Sequence, residues 1–153
     1  MTRNDPPIDA AAPRQQPVSG PAIFHLSLPV RSLDASRAFY CDLLGAPLGR
    51  QSPEWIDVML FGHQLTLHAR PEEVGEADEQ GVRHFGAILS WMEWQALAAR
   101  LRDAGAAFAV PPATAHGGTP AEQAKMLLRD PSGHLLEIKA YRDVAAVFAG
   151  QSP

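Results

Sequence analysis

Three residues of this chain could together hold a reactive metal ion: His25, His84 and Glu137. Two imidazoles and one carboxylate leave coordination positions open, and that donor set suits Fe(II), Mn(II), Ni(II) or Zn(II). One divalent ion per site is therefore the expected cofactor. Each of the three residues falls on the polar side of a predicted strand. In Phe24-His25-Leu26-Ser27-Leu28-Pro29-Val30, the apolar row Phe24, Leu26, Leu28 and Val30 sends His25 and Ser27 to the opposite face. After Gly62, Leu65 and Leu67 take the packing side and leave Gln64, Thr66 and His68 opposite. After Gly133, Leu136 and Ile138 pack, and Glu137 and Lys139 face away. So much polarity gathered on one concave surface needs something bound there, because a buried charge requires a partner or a metal.

The elements that must position these residues occur twice. His25 falls on His84, Gly45 on Gly105 and Gly62 on Gly133 when the chain is laid on itself. Each half reads as a strand, a helix and then further strands, and a half of this size scarcely buries its own apolar face. In the first helix Ser32 or Asp34 can cap, and Ser36, Phe39, Tyr40 and Leu43 mark one stripe. In the second, Ser90 and Glu93 form a capping box. Trp94, Leu97, Ala98 and Leu101 follow at core-facing spacing, which predicts a helix from near Trp91 that stops before Gly105.

Composition fits a single α+β domain built from those halves: 153 residues, 46% hydrophobic and 20% charged. A formal net charge of -4 provides no basic footprint for nucleic acid. The lone Cys41 cannot close an internal disulfide and reads as a buried, inert thiol in a helix. No apolar run approaches the ~20 residues of a membrane span, and the first residues lack the apolar core of a secretory signal. A cytoplasmic location is the expectation. Residues 1–20, rich in Pro and without periodicity, are expected to form a disordered tail, and 143–153 a short helix and a frayed end.

The paired modules, the histidine opening each, the Asp130-Pro131-Ser132-Gly133 turn and the Glu137 after it resemble the vicinal oxygen chelate superfamily. That superfamily includes glyoxalase I, extradiol dioxygenases and fosfomycin or bleomycin resistance proteins. The resemblance covers about residues 22 to 142. It implies two paired βαβββ modules, about 22–70 and 82–142, with mixed sheets curved around a metal-binding cavity. Carried over by position, it implies His25, His84 and Glu137 as ligands, with a fourth from the last strand of the first module. Gln64 could fill that place, strict repeat matching points to Thr66, and His68 lies two residues beyond on the same face. His68 also lies near the acid–base histidine of extradiol enzymes, which implies a proton-transfer role. The resemblance further implies a small-molecule substrate bound through adjacent oxygens, and a homodimer that pairs modules within or between chains. A non-catalytic small-molecule or antibiotic binder of the same fold is the alternative.

Other polar residues carry plainer readings. His63 and His134, at strand starts, are expected to be solvated. Trp91 and Trp94 should pack, and Trp55 either packs or lines the cavity. Glu72-Glu73 and Glu76 to Glu79 read as a solvated connector between modules. The second half is longer between Gly105 and Gly133, and its Pro111-Pro112 to Gln123 stretch is either a lid or an idle loop.

Overall fold

A computed structural model of the chain describes residues 21–76 and 82–148. The expected N-terminal tail, part of the glutamate-rich connector and the last residues lie outside the described residues. The first module runs β1 (His25–Val30), α1 (Leu33–Arg37), β2 (Leu48–Gln51), β3 (Trp55–Leu60) and β4 (His63–Ala69). The second runs β5 (Phe85–Leu89), α2 (Trp91–Asp103), β6 (Phe108–Ala115), β7 (Gln123–Arg129) and β8 (Leu135–Tyr141). Each module is one four-stranded mixed sheet, ordered β1-β4-β3-β2 and β5-β8-β7-β6. The opening strand lies parallel to the closing one in both. This is an α+β fold of two modules whose sheets are not closed into a barrel.

The repeat read from the sequence has a backbone cause. Gly45, Gly105, Gly62 and Gly133 have φ of 79°, 68°, 83° and 95°. The first pair ends a helix and the second lies in the turn before each module's last strand, where a β-carbon would be strained. Ser32 caps α1 by accepting from the Ala35 amide at 3.3 Å. The helix then widens into a π-helical stretch, Ala38–Leu43, with the Leu44 amide bonded to the Phe39 carbonyl at 3.0 Å. The capping box of α2 forms as expected: the Ser90 hydroxyl accepts from the Glu93 amide, and the Glu93 carboxylate accepts from the Ser90 amide at 3.2 Å.

The core lies on the helix side of both sheets. Leu65, Leu67, Leu136 and Ile138 are buried there with Tyr40, Trp94, Leu97 and Leu101. Trp94 also donates its indole N–H to the Ile138 carbonyl at 2.9 Å. The opposite face of the second sheet remains open, with Ile88 and Val110 47% and 36% exposed.

Polar contacts lock the modules to each other. Tyr40 is fully buried and its hydroxyl donates to Asp130 at 2.9 Å, while Asp130 also accepts from the Ser132 and His134 amides. Burial first, then the Asp130 charge and hydrogen bond, push the Tyr40 phenol well above its ordinary pKa. Arg100 of α2 donates to the Leu43 and Leu44 carbonyls that the first helix leaves open at its end. His134, expected to be solvated, is instead partly buried, with Nε2 at 2.8 Å from the Pro29 carbonyl. The turn before β8 folds back onto β1, which removes it from solvent.

Three further expectations change. Cys41 is half-buried rather than buried, and burial, aided by Asp42, raises its thiol pKa and so keeps it inert. The Pro111-Pro112 stretch belongs to strand β6, so only residues 116–122 form a loop. The Pro-rich segment is therefore mostly a long β6–β7 hairpin rather than a detached lid. The C-terminal helix is a short 3-10 turn, Val144–Val147.

Candidate metal centre

His84 stands immediately before β5, and its Nδ1 lies 2.7 Å from the Val82 carbonyl. A carbonyl can only accept, so that bond places a proton on Nδ1, and in the neutral ring Nε2 is then the atom free to bind a metal. Nε2 lies 3.3 Å from Glu137 Oε2. A neutral His84 would set two acceptors against each other, and a cation between them would satisfy both. Donors bound at about 2.0–2.2 Å to one ion are held roughly 3–3.4 Å apart, so the His84–Glu137 spacing fits a shared metal. Lys139 Nζ lies 2.9 Å from the same Glu137 oxygen, supplying positive charge in the chain as described.

The other two expected donors sit on the first module. His25 and Gln64 are register partners on β1 and β4, on the open face with Met59. One row further lie Ser27, Thr66 and Asp57, and beyond them Pro29, His68 and Trp55. Because His25 corresponds to His84, the Ser27–Thr66 pair corresponds to Gly86–Glu137. Register thus makes Thr66 the counterpart of Glu137, as strict repeat matching anticipates.

Thr66 is nevertheless committed elsewhere. Its hydroxyl donates to Asp57 at 2.6 Å, and Asp57 also accepts from Arg50 Nε at 2.9 Å and Gln64 Nε2 at 3.1 Å. Asp57 is 1% exposed. Burial alone would push its carboxyl pKa up; the bonds from Thr66, Arg50 and Gln64 and the Arg50 charge outweigh that and hold it below the usual range. A carboxylate only accepts, so Gln64 presents its nitrogen to Asp57, and that bond leaves its amide oxygen available as a donor atom for a metal.

The structure therefore joins His84 with Glu137 and His25 with Gln64, and keeps the two sets on separate sheets. Among the described residues, no three His, Cys, Asp or Glu side chains gather around one point. His68 lies on the same face as Gln64 and Thr66, half-buried. An open pocket of about 540 Å³ fronts His84, Gly86, Glu137 and Lys139, and Phe61 of the β3–β4 turn and His63 at the start of β4 line it as well.

Sequence reasoning missed Asp57, Arg50 and Gly86. The alternation Trp55, Asp57, Met59 already placed Asp57 on the polar face, and that signal was sufficient to find it. The importance of Gly86 was not visible, because it depends on how closely β5 approaches β8.

Residues 22–138 match the family profile described as the Glyoxalase/Bleomycin resistance protein/Dioxygenase superfamily. A glyoxalase/bleomycin resistance protein/dioxygenase from Alicyclobacillus acidocaldarius is 32% identical, with a TM-score of 0.71 over 80% of this chain and 92% of that one. The fosfomycin resistance protein FosX from Listeria monocytogenes shares the fold at 16% identity and TM-score 0.61, covering 80% and 94%. Lactoylglutathione lyase from Agrobacterium tumefaciens does so at 20% and 0.57, covering 80% and 95%. No curated protein matches the chain in sequence. With repeated modules, matching register and a family profile that covers most of its length, the chain belongs to the glyoxalase/bleomycin resistance protein/dioxygenase superfamily.

Proposed function

We propose that this protein is a metal-dependent enzyme of the vicinal oxygen chelate type that acts on a small molecule through two adjacent oxygens. The observation that carries this reading is His84 Nε2 set 3.3 Å from the Glu137 carboxylate, with the other ring nitrogen turned to the Val82 carbonyl. His84, Glu137 and His25 would hold the ion, with the Gln64 amide oxygen as a fourth donor. Fe(II), Mn(II), Ni(II) and Zn(II) all suit that set. When bound, the ion supplies Lewis-acid polarisation of the substrate oxygens. His68, on the face shared with Gln64, exchanges a proton with the substrate, and Asp57 fixes the direction of the Gln64 amide. The family alone leaves dioxygenation, isomerase or lyase chemistry, and ring or epoxide opening as reaction classes.

The site is completed by a second copy of the chain. The polar face of the first sheet is exposed at His25 and Ser27 and that of the second at Ile88 and Lys125, and neither His25 with Gln64 nor His84 with Glu137 is a full ligand set among the described residues. A homodimer in which one module's open face covers the partner's other module brings the two half-sets together. The expected assembly is thus a dimer with two composite sites. A monomeric mass at micromolar concentration would refute it.

One observation favours the non-catalytic binder. The Lys139 ammonium at 2.9 Å already neutralises Glu137 without a metal. Elemental analysis of the purified protein decides: a bound divalent ion supports the enzyme, and no ion together with no affinity for one supports the binder. Among the described residues no helix is long and apolar enough to cross a membrane. A cytoplasmic location remains part of this proposal.

A further inference from the structure

Lys125 on β7 and Lys139 on β8 are direct register partners in an antiparallel pair. Both side chains leave the face that carries Glu137, two residues from Lys139. Like charges directly opposite each other destabilise a sheet. Nothing in the fold requires the pair, since the buried residues of these strands, Ala124, Met126, Ile138 and Ala140, point the other way. Lys139 is partly offset by Glu137, whereas Lys125 is exposed and makes no ion pair among the described residues.

The charge around the proposed centre is therefore unbalanced. A divalent ion would consume the Glu137 charge and leave both ammonium groups uncompensated. On the module that would cover them, Arg50 and Asp57 cancel each other as an ion pair at 2.9 Å. Beyond the lysines the next pair on this face is Tyr141 with Gln123, which adds neutral hydrogen-bonding groups at the same end.

We propose that Lys125 and Lys139 form an anion subsite beside the metal, and that the substrate carries a carboxylate in addition to its adjacent metal-binding oxygens. Resting on the metal-site reading above, the inference adds the substrate class. Two residues along a strand span about 6–7 Å, so the carboxylate is separated from the chelating oxygens by roughly one aromatic ring.

The test compares catechol with 3,4-dihydroxybenzoate as probes, titrated calorimetrically into Zn(II)-loaded protein, wild type, Lys125→Met and Lys139→Met. The carboxylate should tighten binding to wild type by about 10- to 100-fold, with the gain reduced in each variant and shrinking as salt is raised. Lys125→Met should melt at the same or a higher temperature, because it relieves the opposed charges, so a loss of preference is not a loss of fold. Equal affinity for the two probes, binding of neither, or a preference kept in both variants overturns the subsite. Metal content measured on the same samples separates the two readings. Metal-replete protein without the preference overturns the subsite alone, and wild-type protein that takes up no metal overturns both.

Discussion

Gly86 and Glu137 are register partners on parallel strands, and a β-carbon at position 86 would fall inside the Glu137 carbonyl group. The glycine is what lets β5 approach β8 closely enough to set His84 beside the Glu137 side chain. Gly86→Ala must push the strands apart, at about 1–3 kcal/mol of stability. Denaturant unfolding should show that loss, and metal affinity should fall with it. A variant as stable as wild type would mean that the strands tolerate the separation and that Gly86 does not shape the site.

Glu137→Gln keeps the side-chain shape and removes the anionic donor. Metal affinity should drop strongly while the circular dichroism spectrum and the unfolding midpoint stay near wild type. Wild-type metal content in this variant takes Glu137 out of the site.

His68→Ala should retain the metal and lose turnover by about 10²- to 10⁴-fold, the usual contribution of a positioned proton-transfer group. His25→Ala should lose both metal and turnover. If His68→Ala empties the site as fully as His25→Ala does, His68 is a ligand and its proton-transfer assignment is wrong.

Asp57 has its carboxyl pKa held below the ordinary value by Thr66, Arg50 and Gln64, which win over burial. A group depressed in the folded state stabilises the protein above its unfolded pKa of about 3.9, and that stability drains away as pH falls through the lower folded value. Asp57→Asn should therefore be less stable at neutral pH and show a flatter acid limb. An unchanged acid limb would place the sensitivity in other carboxylates.

Local pattern made much of this fold legible. Alternation assigned the faces of β1, β4 and β8, the capping residues fixed α2, and the glycine spacing revealed the duplication, because these depend on neighbours in sequence. The proposed ligands His25, His84 and Glu137 could be put forward for the same reason. What stayed hidden depends on how the modules pack: His134 turned inward onto Pro29, Thr66 tied to Asp57, and the two proposed donor pairs held on separate sheets. Favouring Gln64 over Thr66, one step apart along one face, needed the side-chain bonds to Asp57, because register alone points to Thr66.

Metal content after mixing two disabled chains tests the central claim most directly. In the composite-site account, His25→Ala damages only first-module half-sites and Glu137→Gln only second-module half-sites. A mixed dimer of the two therefore contains one doubly damaged site and one intact site. Co-refolding the two variants, each metal-poor alone, should restore a bound divalent ion to the mixed dimer. If the mixture stays as metal-poor as its parents while mass analysis shows that mixed dimers have formed, the site is not shared between chains and the account fails.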